Sequence, residues 1–216
     1  MSDLIKLELV DADGAIREAE AAVAGDSRAD FFRKGAMGGT ALLGGSVLLG
    51  GFPELADARK SKKQDVKILN FALTLEYLEE AFYAEALSTA GLTDDALRAA
   101  QVVKAHETAH VQFLKQALGG KAVKKPAFEF GDSTANQANF LTTAALLEDT
   151  GVSAYAGQGT RIKQTAVVKA ALSIHSVEAR HAGFIRELSG QSFAPRAFDK
   201  PAGMKAVLNK AKPFLA

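Results

Sequence analysis

Apolar residues recur three and four positions apart through two long windows of the chain, 54–125 and 127–194, and two-residue alternation of the strand type is absent. Neither window contains a proline: the prolines stand at Pro53, Pro126, Pro195, Pro201 and Pro213, and proline breaks helix interiors. In the first window Ile68, Phe71, Ala72, Leu75, Leu78 and Phe82 share a face and predict helix A over 64–89, closed by Gly91. Thr93, Asp94 and Asp95 supply a cap and an acidic first turn for helix B over 93–118, which stops at Gly119-Gly120. Ser133-Thr134 is read as the cap of helix C over 134–157, with Gly157, Gly159 and Thr160 as the turn into helix D, ending near Ser189-Gly190. The tail, 191–216, holds a short helix near 203–211. The expected fold is all-α.

Loop lengths turn these helices into a topology. A–B and C–D are joined by a few residues each and form antiparallel hairpins. The B–C link has about 14 residues, which at ~3.3 Å per residue reach ~45 Å, whereas a 25-residue helix is ~37 Å long. The link can run the length of the bundle and start C beside the start of B. The result is a four-helix bundle with one long B–C crossover over 64–190, between an N-terminal segment and a C-terminal tail.

The segment 1–58 reads differently. A short amphipathic helix within 1–25 (Leu4, Leu7, Ile16, Val23) is interrupted at Asp13-Gly14. Ser27-Arg28-Ala29-Asp30-Phe31-Phe32-Arg33-Lys34 then leads into an uncharged stretch, Gly35 to Phe52, with seven glycines and Ala56-Asp57-Ala58 beyond it. A basic region, a weakly apolar stretch and a small-x-small site make an export signal. It resembles the twin-arginine type, departing from it at Ala29. Export to a periplasmic or other extracytoplasmic location is therefore expected, with a mature chain beginning after Ala58. The alternatives are an uncleaved tether touching the membrane through 35–52 and a cytoplasmic, Gly-rich arm packed on a partner subunit.

Composition narrows the chemistry. With 26 basic and 25 acidic residues the net charge is +1, which gives no drive toward nucleic acid, and none is expected as a partner. The absence of cysteine excludes disulfides, iron–sulfur clusters, thiolate zinc sites and cysteine nucleophiles. Any metal must be held by oxygen and nitrogen.

Helix B carries Glu107-Thr108-Ala109-His110 and helix D carries Glu178-Ala179-Arg180-His181. Residues three apart project onto one helix face. Helices A and C each set a glutamate in an apolar run, Glu76 and Glu148. Glu76 and Glu107 are 31 residues apart, Glu148 and Glu178 are 30 apart, and the midpoints fall at or near the interhelix turns. Antiparallel hairpins thus bring all six side chains to nearly one level. One Glu from each of two helices and Glu-x-x-His from each of the other two is the di-iron carboxylate constellation. Glu107 and Glu178 would bridge two metals, with Glu76 and Glu148 as terminal ligands. Four carboxylates offset two divalent ions, and iron or manganese suits the donors.

Asn70-Phe71-Ala72-Leu73-Thr74-Leu75-Glu76-Tyr77-Leu78-Glu79-Glu80-Ala81-Phe82-Tyr83 and His106-Glu107-x-x-His110-x-x-Phe113-Leu114 resemble the bacterial ferritin-like domain proteins related to plant desiccation-related proteins. The resemblance covers about 64–190 and implies a di-metal ferritin-like bundle.

Other residues have competing readings. His106-Glu107-Thr108-Ala109-His110 also spells His-Glu-x-x-His, which as a zinc hydrolase would use His106 and His110 as ligands and Glu107 as base. No predicted sheet supports that reading, and it leaves the second Glu-x-x-His unexplained. His106 and His175 are then extra histidines, either partners of the ligands or exposed residues, with exposure the favoured reading. Tyr83, two turns after Glu76, is a candidate hydrogen-bond donor to a ligand or one-electron donor, against packing with its hydroxyl satisfied. Glu79 and Glu80 lie one turn from Glu76; one of them could substitute as a ligand, and a solvated face is the favoured reading. The functional expectation is a homo-oligomeric oxidoreductase in which two iron or manganese ions meet oxygen or peroxide, as ferroxidase- or peroxide-type stress chemistry. The alternative class is a metal-binding or structural stress protein without turnover.

Overall fold

The computed structural model describes residues 63–216, and the readings made on segment 1–58 lie outside them. The described residues form α1 (Lys63–Thr89), α2 (Asp94–Leu118), α3 (Gln137–Gly159), α4 (Thr165–Leu188) and α5 (Met204–Ala211). Among them there is no strand, only an isolated antiparallel bridge between Phe128 and Leu215. The all-α expectation holds. No described helix is long and apolar enough to cross a membrane.

The crossover does what its length allows. Asn70 on α1 donates to Lys121 O (2.9 Å) and accepts from Val123 N (2.8 Å) just past α2. Lys125 reaches Glu80 at 2.8 Å, and Thr134 donates to Glu85 at 2.6 Å while Thr89 donates to Thr134 O at 2.9 Å. The link therefore climbs α1 from Asn70 to Thr89, about 28 Å at 1.5 Å per residue. It delivers α3 beside the start of α2, where Gln137 accepts from Thr93 N at 2.9 Å.

Two local expectations change. Ser133-Thr134 does not cap α3: residues Gly131–Thr134 form a 3-10 turn, and Asn136 is the cap, accepting from Asn139 N at 2.9 Å. A 3-10 turn followed by an Asx cap satisfies the same donors two residues later. Gly157 is no turn residue either, since α3 continues to Gly159. A Cβ there would fall 1.9 Å from Ala202 O, so this glycine lets the tail lie against α3, where Ala202 N donates to Ser153 O at 2.9 Å. The tail is thereby part of the packed unit, with Val207, Ala211 and Phe214 in the same buried cluster as Phe82 and Phe140. At the other end, Asp65 of α1 is buried and accepts from Lys163 N (2.9 Å) and Gln164 N (3.0 Å), tying down the entry to α4.

The core has two apolar layers. One contains Leu75, Phe82, Ala100, Phe140 and Ile185, the other Ile68, Leu73, Phe113, Val167 and Ile174. Each such valine, leucine, isoleucine or phenylalanine contributes roughly 1.5–3 kcal/mol by leaving water. Along α2 and α4, the stretch that divides one layer from the other carries Glu107, His110, Glu178 and His181; on α1 Glu76 stands between Leu75 of the first layer and Tyr77 of the second, and on α3 Glu148 follows Leu147 of the first.

Candidate metal centre

Each Glu-x-x-His offers its carboxylate and its imidazole from one helix face, because three residues span most of a turn. Glu76, Glu107, Glu148 and Glu178 are fully buried, and His181 is buried at 6 % exposure. His110 Nδ1 lies 3.1 Å from Glu76 Oε2, 3.0 Å from Glu107 Oε2 and 3.2 Å from Glu178 Oε1. His181 Nδ1 lies 3.2 Å from Glu107 Oε1 and 3.2 Å from Glu148 Oε2. An imidazole nitrogen carries at most one proton, so it cannot serve three oxygens as a donor. Oxygens gathered around a nitrogen in this way match donor atoms arranged about a common cation.

Two groups result. Glu76, Glu107, His110 and Glu178 form one, and Glu107, Glu148, Glu178 and His181 the other, with the ligand atoms of each within 4.8 Å of one another. Glu107 and Glu178 belong to both. All six residues selected from the sequence converge here. His106 joins neither group, so the His106–His110 pair of the zinc-hydrolase pattern is not brought together as ligands.

The electrostatics are those of concentrated negative charge out of water. Burial, then the Glu107 and Glu76 charges, pushes Glu178 well above the usual carboxylate range. Burial likewise raises Glu107 to about 7, although the neighbouring His110 and His181 rings act to lower it. Burial also acts to raise Glu76, but the His110 charge and hydrogen bonds from His110 and Tyr155 outweigh it and leave Glu76 low. Against burial, which favours the neutral ring, the carboxylates hold His181 up at about 10 and His110 higher than an ordinary imidazole. Several atoms still lack a hydrogen-bond partner: Glu107 Oε1, Glu148 Oε2, both Glu178 oxygens and His181 Nδ1. Buried polar atoms without partners are costly. A pair of divalent cations fits this donor set, because four carboxylates balance its charge and oxygen with imidazole suits iron and manganese.

Two tyrosines brace the terminal glutamates in a crossed pattern. Tyr83 of α1 donates to Glu148 Oε1 on α3 at 2.6 Å, and Tyr155 of α3 donates to Glu76 Oε1 on α1. Both hydroxyls are held well above their ordinary pKa by burial and by carboxylate charge, so they stay protonated donors. Tyr83 was legible from its spacing of seven residues after Glu76; Tyr155 follows Glu148 by the same seven and was missed.

Glu79 and His175 differ from the favoured readings, and His106 is both exposed and a partner of a ligand ring. His106 is exposed as expected, yet its Nδ1 sits 2.8 Å from His181 Nε2 with the rings stacked at 5.1 Å. A partner on Nε2 orients the His181 ring and leaves Nδ1 for the carboxylate side. His175 is half-buried rather than exposed, with Nδ1 unpartnered. Glu79 does not lie on a solvated face: it is 2 % exposed, and burial with the Glu178 charge raises its pKa strongly. Glu80 is half-buried and paired with Lys125. A family model described as a ferritin-like domain matches residues 64–191. No curated protein matches the chain.

Proposed function

The chain belongs to the ferritin-like domain family, and from that premise we propose that it is a di-metal carboxylate oxidoreductase acting on oxygen or peroxide. The observation that carries this reading is the pair of four-residue ligand groups with Glu107 and Glu178 common to both. Glu76 and His110 would hold one ion, Glu148 and His181 the other, and Glu107 and Glu178 would be shared. When bound, iron or manganese supplies the one-electron chemistry that carboxylates and imidazoles lack.

The chain's own residues set the conditions for it. The crossed Tyr83 and Tyr155 hydrogen bonds leave each terminal glutamate one oxygen for a cation and fix where that oxygen points. The apolar layers on either side limit water, which strengthens each charge interaction at the site. His106 holds the outer nitrogen of His181.

The test is anaerobic addition of Fe(II) to the full chain, then oxygen, with Fe(II) loss followed by colorimetry and oxygen uptake by electrode. A parallel arm follows peroxide loss on the manganese-loaded chain. Fe(II) loss matched by oxygen uptake, or catalytic peroxide loss, supports the oxidoreductase reading. Two retained metals with neither activity would assign the chain to metal binding without turnover. Failure to retain metal in either arm would refute the centre.

A further inference from the structure

The tail gives the bundle a hollow that the metal centre does not use. Residues 189–203 run from α4 to α5 and lie against α3. Two anchors hold that path. Arg186 donates to Asp149 through Nε at 3.2 Å and through Nη2, and to Phe193 O through Nη1 at 2.8 Å. Further on, Ala202 N donates to Ser153 O at 2.9 Å. Pro195 and Pro201 fix φ between the anchors. Tail, α3 and α5 enclose a cavity of about 570 Å³, inside the roughly 300–1,000 Å³ range of small-molecule sites. Leu146, Val152 and Ala202 give it apolar ground. Its charges are unbalanced: Arg186, Arg196, Lys200 and Lys210 line it against Asp149 and Asp199. Arg186 and Asp149 neutralise each other. Arg196, Lys200 and Lys210 have no side-chain hydrogen bond or ion pair with any described residue. Asp199 matches one of the three, which leaves an excess of two positive charges in one concavity. A cleft lined by one sign of charge gathers counter-ions of the other.

We propose that this hollow binds a small organic dianion, of phosphate-monoester or dicarboxylate chemistry, with Arg196, Lys200 and Lys210 as its counter-charges. The charge excess sets two negative charges on the ligand. The guanidinium fork of Arg196 fits the paired oxygens of either group, and the two lysines add point charges. The carbon body of the ligand covers Leu146, which is 43 % exposed, and Val152; a bare inorganic anion would leave that ground wet. None of these lining residues belongs to either metal-ligand group, so the site stands apart from the metal-pair reading.

The experiment is calorimetric titration of the full chain at pH 7 with phenyl phosphate, phthalate and inorganic phosphate, in chelator so that no probe reads bound metal. One equivalent of phenyl phosphate or of phthalate should bind, more tightly than inorganic phosphate, and the tighter of the two assigns the charged group to phosphate or to carboxylate. R196Q/K200Q and K210Q should each weaken that binding by about 10–100-fold, the usual worth of a charged hydrogen bond. K67Q/K124Q, which removes two exposed lysine charges outside the cavity, should bind as the parent does. All five side chains are exposed, so the variants should fold, with far-UV circular dichroism as the check. Absence of binding by both organic probes overturns the proposal, as do parent-like affinities in R196Q/K200Q and K210Q or an equal loss in K67Q/K124Q. Inorganic phosphate binding as tightly as both organic probes overturns the organic ligand. Metal content plays no part in this readout, so the metal-pair reading stands or falls separately.

Discussion

Stripped of metal, this protein should grow less stable as the pH rises from 5 to 9, and bound metal should remove that dependence. Glu107 ionises near 7 in the fold, against 4.5 for an ordinary glutamate. A carboxyl raised on folding makes the native state bind the extra proton, so stability falls as pH climbs through that interval. At 1.36 kcal/mol per pH unit the loss is about 3 kcal/mol. His181 is raised from 6.5 to about 10. Its contribution is complete below 6.5 and disappears as pH rises through 10, about 5 kcal/mol by the same conversion. The two are not summed, because His181 and Glu107 hold each other's charge. Even one of them is a large part of the roughly 5–15 kcal/mol that holds a domain folded. The assay is thermal unfolding by circular dichroism at pH 5, 6, 7, 8 and 9, in chelator and again with saturating Mn(II). Metal replaces the protons that hold the carboxylates together, so the loaded curve should be flat and lie further above the metal-free one as pH rises. A metal-free Tm that is constant or rising over this range would refute the argument.

Glu107→Ala and Glu178→Ala should each abolish the two-metal stoichiometry in elemental analysis, and unchanged metal content in both would sink the assignment of the shared ligands. His106→Ala should weaken binding of one metal equivalent by about 10–100-fold, the usual cost of losing a group that orients a ligand; calorimetric Mn(II) titration would show whether the other equivalent is spared. Gly157→Ala should destabilise the fold by about 1–3 kcal/mol or more, since its methyl has no place beside Ala202. Urea unfolding measures this, and a neutral result would mean that the tail does not need that approach.

The parts legible in the sequence were those written in local spacing. Helical periodicity with Gly91 and Gly119 delimited the first hairpin, and paired Glu-x-x-His spacing with two glutamates in apolar runs picked out six side chains that converge in the core. Tyr155 was written by the same rule that found Tyr83. Where the reading failed, the cause lay in another element. Gly157 reads as a turn glycine until Ala202 is known to press against it. Glu79 reads as a surface residue until Gly151, on a different helix, is known to leave its room. His106 reads as exposed or as a ligand's partner until α4 brings His181 to it. Each depends on a contact across the bundle, which local pattern does not encode.

The exchange of glutamates between the two metal groups bears on more than ligand count. Each hairpin supplies three donors to its own position and lends one carboxylate to the other, Glu107 in one direction and Glu178 in the return. Neither hairpin can complete a four-donor position alone, so ions bound there would act as rivets through the seam between them, and free metal concentration would set how tightly the rivets hold. Scarcity of metal would slacken the seam first, leaving each hairpin's own contacts intact. Hydrogen exchange should register this as faster exchange on the facing surfaces of α1, α2, α3 and α4, before any loss of helix. The bundle would then report metal supply through its own cohesion, whatever chemistry the ions perform.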